Sequence, residues 1–219
     1  MVSEMPEPEV IARGPWEPRQ VQTRWREDQF EPAPEVSAAA DAAIEALRER
    51  GSPSHDGMSA RLASFEVDPR GLGLELQPSR WSLRLVEDAA AQSLASQCIA
   101  RAADGRWLAG RRAPWVATWA GRWALGAGGA VEVGEDPVAT LGRELEEEWS
   151  VRPERLTVEA LVRLPSGLVL LVGMAWLEEG AEIVPDDEHD AFAWWPVDPA
   201  HWPEEAHAAL RRTASLLAA

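Results

Sequence analysis

Three glutamates, Glu144, Glu147 and Glu148, stand at spacings of three and four in a segment that reads as a helix. Pro137 suits a first helical turn, Glu135 and Asp136 suit the positive end ahead of it, and the pattern runs to about Trp149. On a wheel of about 100° per residue, Val138, Leu141, Leu145 and Trp149 form a core-facing stripe, with the three carboxylates in the stripe beside it. Neighbouring carboxylates at that spacing cost about 0.2 to 0.5 kcal/mol each unless a cation intervenes. Arg143 can offset one of them and cannot neutralise all three. The stripe reads either as a solvated acidic face or as a place where cations gather.

The surrounding spacing favours the second reading. Gly129, Glu135, Arg143, Glu144, Glu147 and Glu148 fall on six of the seven fixed positions of the pattern G-x5-E-x7-R-E-U-x-E-E-x-G-U, with Leu145 and Val151 on its aliphatic positions U. At roughly 7% usage per residue type, six such matches arise by chance about once in 10^7 registers. The segment therefore resembles the box of the Nudix hydrolases. Its one departure is Ser150, where the family has a glycine that follows the helix end, a place where positive φ is often needed. The resemblance continues through the preceding hairpin and through Glu188-His189 to Trp195-Pro196, covering about residues 91–219. It implies an α+β fold of the Nudix type: an α/β/α sandwich around a mixed sheet.

It also implies a chemistry. Nudix hydrolases cleave a nucleoside diphosphate linked to another moiety: a nucleotide sugar, ADP-ribose, a dinucleotide or a nucleoside triphosphate. Hydrolysis of so charged a linkage requires charge neutralisation and an activated water. Magnesium, with manganese as a substitute, takes one or two carboxylates plus substrate phosphates and keeps several waters. By matching positions, Glu144, Glu147 and Glu148 are the metal ligands, Glu135 supports a further metal or its waters, and Arg143 orients Glu144 or Glu147. The general base is Glu144 or a later loop carboxylate; among Asp186, Asp187, Glu188 and Asp190 the choice is Glu188. Gly128 and Gly129 offer backbone to the shell, Arg111 and Arg112 stand where many members place basic residues near the diphosphate, and Trp119 is one of three tryptophans able to stack on a base. Core packing and surface charge balance are the competing roles for these tryptophans and arginines; His189 reads as a solvated or structural group with a hydrogen bond to a phosphate or base as its alternative, and His55, His201 and His207 rank below it. A non-catalytic nucleotide sensor on the same fold is the alternative function.

The elements that must position these groups follow from periodicity. Met1 to Pro34, rich in proline and charge, reads as an extended arm lying on a domain. A helix spans Glu35 to Arg50 and stops at Gly51; Ser52 to Gly57 reads as a loop. Hairpins are expected at Arg61 to Val67 with Leu72 to Leu76, and at Gln92 to Ala102 with Arg106 to Arg112. Strands at Leu156 to Leu164, Leu168 to Leu177 and Ala191 to Val197 follow the box, and Pro203 opens a terminal helix reaching Leu217. Trp194 and Trp195 should point to opposite faces. The division expected is an N-terminal extension, residues 1–90, with a helix and a hairpin, and a Nudix domain at 91–219.

Composition narrows the partners. The 219 residues carry a formal charge of −16, which repels nucleic-acid polymers and anionic lipid surfaces and leaves a small anion held through metal ions. The longest apolar run, Gly167 to Leu177, is too short for a membrane helix, and the acidic N-terminus lacks the pattern of a signal peptide. A single cysteine, Cys98, fits a reducing cytoplasm. No lysine, asparagine or tyrosine is present, so a Schiff base and a tyrosine acid are excluded. The N-terminal hairpin could pair across a homodimer.

Overall fold

A computed structural model of the chain describes residues 8–51, 56–86, 91–116 and 119–217. In chain order its strands are β1 (Glu9–Trp16), β2 (Val21–Trp25), β3 (Met58–Asp68), β4 (Gly71–Arg80), β5 (Leu94–Arg101), β6 (Trp107–Arg112), β7 (Trp123–Leu125), β8 (Ala127–Ala130), β9 (Arg155–Arg163), β10 (Val169–Trp176) and β11 (His189–Trp195). The helices are α1 (Pro34–Glu49), α2 (Pro137–Trp149) and α3 (Ala208–Leu217). No helix among the described residues is long and apolar enough to cross a membrane.

The nearly unbroken apolar run of β10 is that of a strand covered on both faces. It lies inside the larger sheet, ordered β1-β9-β10-β5-β6-β11, parallel to β5 and antiparallel to β9, while β7 joins β6 and β8 joins β5. On one face α2 and a second sheet, β2-β4-β3, share a core that includes Leu62, Leu74, Leu141, Leu145 and Trp149. On the other face α3 packs with Trp107, Met174, Trp195 and Trp202. Helix, mixed sheet and helix thus form the expected α+β sandwich. Gly173 of β10 lets α2 pack closely, because a Cβ there would lie 2.6 Å from Leu141 Cδ1 of α2 and that side chain would have to shift.

Three readings need amendment. The N-terminal arm is built into the sheets: β1 pairs antiparallel with β9, β2 pairs parallel with β4, and Trp16 and Val21 are buried. Backbone pairing therefore crosses residues 90 and 91. The expected second hairpin closes at Arg101 and Trp107 and then opens, because β5 turns to β8 and β6 to β7. Gln97 spans that opening, its amide donating to the carbonyls of Leu125 and Ala127. The terminal helix begins at Ala208, not Pro203; residues 203–206 form a turn whose carbonyls at Pro203 and Ala206 accept from Arg211.

The helix over Glu35 to Arg50, the N-terminal hairpin and the strands flanking Gly167 lie within a residue or two of expectation for α1, β9 and β10, and somewhat short of the full lengths of β3 and β4. The loop at Ser52 to Gly57, with His55, falls mostly outside the described residues. Trp195 is buried in the α3 core, and Trp194 faces the other way, half-buried, with Arg106 5.6 Å from its ring.

Candidate active site

Asp136 caps α2, its side chain accepting from the Val138 amide, and Pro137 occupies the first turn. Leu141, Leu145 and Trp149 are then fully buried. The carboxylate stripe differs from its expected exposure: Glu147 is exposed, but Glu144 and Glu148 are buried beneath β8. The reason is glycine. The Gly128 amide donates to Glu148 Oε1 at 2.9 Å, and a Cβ on Gly129 would lie 2.1 Å from Glu144 Oε1. Any side chain at Gly129 would displace that carboxylate.

Arg143 serves more partners than its charge can balance. It pairs with Glu135 at 2.8 Å, Glu144 at 2.8 Å and Glu147 at 2.9 Å. Burial alone would raise the Glu135 carboxyl, but the Arg143 hydrogen bond and the Glu132 amide hold it low. For Glu144 burial dominates and pushes the pKa up to about 7, with Arg143 opposing. Burial likewise pushes Glu148 up to about 8, opposed by the Gly128 amide. Two buried carboxylates are thus short of positive charge.

The helix ends on the anomaly marked in the sequence. Ser150 adopts φ 56° and ψ 31°, the left-handed conformation that the family's usual glycine takes freely. Its amide donates to the Glu146 carbonyl, so the turn is closed despite the side chain.

The loop before β11 approaches the cluster through residues that composition alone did not single out. His189 is buried, with Nδ1 3.0 Å from Asp186 Oδ1, Nε2 3.7 Å from Glu148 Oε2, and its ring 4.4 Å from that of Trp149. The Asp186 amide donates to the Glu148 carbonyl. Gly110 of β6 makes room, since a Cβ there would meet Trp149 at 2.4 Å and His189 at 2.6 Å. The only sequence signal for this arrangement was a histidine among acids.

The other expected groups have partners of their own. Glu188 pairs with Arg112 at 2.8 Å, and Arg111 pairs with Asp190 at 2.6 Å. Trp119, 47% exposed and at φ 59°, rests against His207, 5.0 Å between rings, beside α3. Gly128 and Gly129 lie against the carboxylates.

Among the described residues no three His, Cys, Asp or Glu side chains converge as a ready-made metal cage. The donors present are nonetheless hard carboxylate oxygens, two of them buried without full neutralisation. They suit a divalent cation that takes most of its shell from water and substrate phosphates.

The profile of the family described as NUDIX domain matches residues 92–217, while no curated protein matches the chain. Among solved structures, the chain is similar to the MutT protein of Methanosarcina mazei Go1, with 22% identity, a TM-score of 0.48 and coverage of 57% of this chain and 92% of that one. It is also similar to a MutT NUDIX hydrolase of Burkholderia pseudomallei, with 24% identity, a TM-score of 0.46 and coverage of 57% and 97%. Against the NUDIX domain of Shewanella oneidensis NrtR, complexed with ADP ribose, identity is 22%, the TM-score 0.45 and coverage 57% and 87%. The family match takes in more than half of the chain, including α2 and its carboxylates, and the chain belongs to the NUDIX domain family.

Proposed function

We propose that the protein is a magnesium-dependent pyrophosphohydrolase, with manganese able to substitute, that cleaves a nucleoside diphosphate linked to another moiety. The substrate class covers nucleotide sugars, ADP-ribose, dinucleotides and nucleoside triphosphates. One observation carries this reading: Glu144 and Glu148 are buried against Gly128 and Gly129 with one shared arginine and one backbone amide to offset them, a costly arrangement for a helix face that served packing alone.

In this reading Glu144, Glu147 and Glu148 hold the metal, which supplies charge neutralisation for the diphosphate, and Glu135 supports the shell. Arg143 fixes the carboxylates in place through its ion pairs with Glu135, Glu144 and Glu147. Glu188 is the proposed loop base and takes the proton of the attacking water, with Glu144 as the other candidate for that step. The Glu188 partner, Arg112, stands ready to exchange a carboxylate for a phosphate oxygen, as does Arg111, paired with Asp190. Trp119 offers a half-exposed ring to a base, and Gly128 and Gly129 offer backbone to the shell. Residues 91–219 carry the chemistry and residues 1–90 form an extension around it. A cytoplasmic setting, with no polymeric nucleic acid or membrane as partner, completes the reading.

The test is a hydrolysis screen across those substrate classes with Mg²⁺ or Mn²⁺, reading phosphate released with and without added phosphatase. Activity should require the cation and should fall at least a hundredfold in Glu148→Gln and Glu147→Gln, with the fold retained. A folded variant of either kind working at the parental rate would remove the ligand assignment.

A further inference from the structure

Glu135 stands just ahead of α2, which carries Arg143, Glu144, Glu147 and Glu148, so the helix alone does not fix its place. Its carboxylate takes two donors of Arg143, Nε at 2.8 Å and Nη2 at 3.2 Å. A planar guanidinium gripped along that edge has one direction left for Nη1, which reaches Glu144 at 2.8 Å and Glu147 at 2.9 Å. The position of Glu135 therefore sets the aim of the fork on the proposed metal ligands.

Glu135 closes a turn between β8 and α2. Its amide donates to the Glu132 carbonyl at 3.0 Å, its Oε2 accepts from the Glu132 amide at 3.1 Å, and Gly134 supplies the positive φ of 85°. These bonds shape the turn but do not tie it to the body. At its start the tie comes from β3 and β5: the Ala60 amide donates to the Val131 carbonyl at 2.8 Å, Ser59 bridges to Glu132, and the Val131 amide donates to the Leu94 carbonyl at 3.4 Å. At its far end the tie is Trp25, whose indole Nε1 donates to the Glu135 carbonyl at 3.2 Å across 110 residues of chain. Among the described residues no other hydrogen bond from outside the turn and α2 reaches the backbone of residues 133–135. Trp25 is itself well held: it ends β2 in register with Leu76 of β4, the next amide donates to the Leu76 carbonyl at 2.7 Å, and its ring packs against the core shared with α2. Packing asks only for an apolar ring there, whereas the indole N–H adds a directed contact to the residue that grips Arg143.

We infer that Trp25 is a positioning residue of the hydrolytic site: its indole holds the Glu135 backbone, Glu135 holds the Arg143 fork, and Arg143 sets Glu144 and Glu147 for the metal. This rests on the pyrophosphohydrolase reading above and deepens it, by giving a role in the site to a residue outside the family match at 92–217.

The experiment uses the full chain and Mn²⁺ as the probe, titrated by paramagnetic resonance, for the parent, Trp25→Phe, Glu135→Ala and the double variant, with thermal melts in chelator reporting the fold. Trp25→Phe keeps a ring in the core and removes the donor. It should weaken Mn²⁺ binding about 2- to 10-fold, the range expected for one lost hydrogen bond. In the Glu135→Ala background, which retains Glu144, Glu147 and Glu148, the same change should leave Mn²⁺ affinity as it was, because the carboxylate it acts through is gone. A loss of stability unconnected with the site would not show that dependence on Glu135. Parental Mn²⁺ affinity in Trp25→Phe, or an equal loss in both backgrounds, would overturn the assignment while leaving the pyrophosphohydrolase reading in place. If Trp25→Phe does not fold, Trp25→Met, which also lacks the donor and fills apolar gaps flexibly, takes its place under the same outcomes. Failure of both to fold would make Trp25 a residue of the fold and overturn the assignment. A folded parent that binds no Mn²⁺ would sink the reading of the site itself, and this inference with it.

Discussion

Replacing Ser150 with glycine tests whether the one departure from the family pattern is a tolerated strain. Ser150 sits at φ 56° and ψ 31° directly after α2, its side chain is exposed, and its amide already closes the helix onto Glu146. A left-handed conformation costs an L-residue roughly 1 to 2 kcal/mol, and glycine removes that cost. The greater freedom of glycine in the unfolded chain returns about 0.5 to 1 kcal/mol. The net gain should be about 0.5 to 1 kcal/mol, or an increase in Tm of roughly 1 to 4 °C for a chain of this size. Urea denaturation provides the more direct measure, because the midpoint should rise with the slope unchanged. Ser150→Ala, which keeps the strain, should stay within about 0.5 kcal/mol of the parent. Since, among the described residues, the Ser150 side chain makes no hydrogen bond to the cluster, hydrolytic rates should be unchanged or modestly raised. A glycine variant less stable than the parent, or one that loses most of its activity, would refute the strain argument and give the serine a role of its own.

Gly129→Ala should fold normally, because the obstructing atoms belong to the flexible end of Glu144, but it should lower kcat/KM at least tenfold by pushing that carboxylate off Arg143; a metal titration of the rate with near-parental values would contradict this. With metal chelated, stability should fall as pH rises. Burial lifts Glu144 to about 7 and Glu148 to about 8, so the folded state retains protons that the unfolded chain gives up from about pH 4.5, and the stabilisation present below that pH is lost progressively up to about pH 8. The loss should be on the order of a few kcal/mol, opposed slightly by His207, whose pKa burial lowers, and Mg²⁺ should restore it; melts showing metal-free stability flat or rising from pH 5 to 8 would speak against the buried carboxylates. Trp16→Ala should destabilise the protein by about 3 to 5 kcal/mol, since the ring lies buried where β1 meets β9, and chemical denaturation showing less than 1 kcal/mol would make the N-terminal arm dispensable.

What the amino-acid sequence determined by itself was local or periodic. The course of α2 followed from Pro137, from the apolar spacing through Trp149 and from the box spacing, and the strained turn at Ser150 followed from one missing glycine. β10 was legible because a covered strand must be apolar on both faces. Tertiary structure alone decided matters that depend on groups distant in the chain. β1 and β2 carry no sustained period, and they became strands because β9 and β4 offered open edges. The burial of Glu144 and Glu148 beneath Gly128 and Gly129 arose from the close passage of β8 over α2, which no helical wheel contains. Pairing of Glu188 with Arg112 and of His189 with Asp186 likewise joins segments tens of residues apart or carried by turns. Periodicity reports which face of an element is apolar, whereas a side chain's partner and its charge environment are set by whichever other element the core brings against that face.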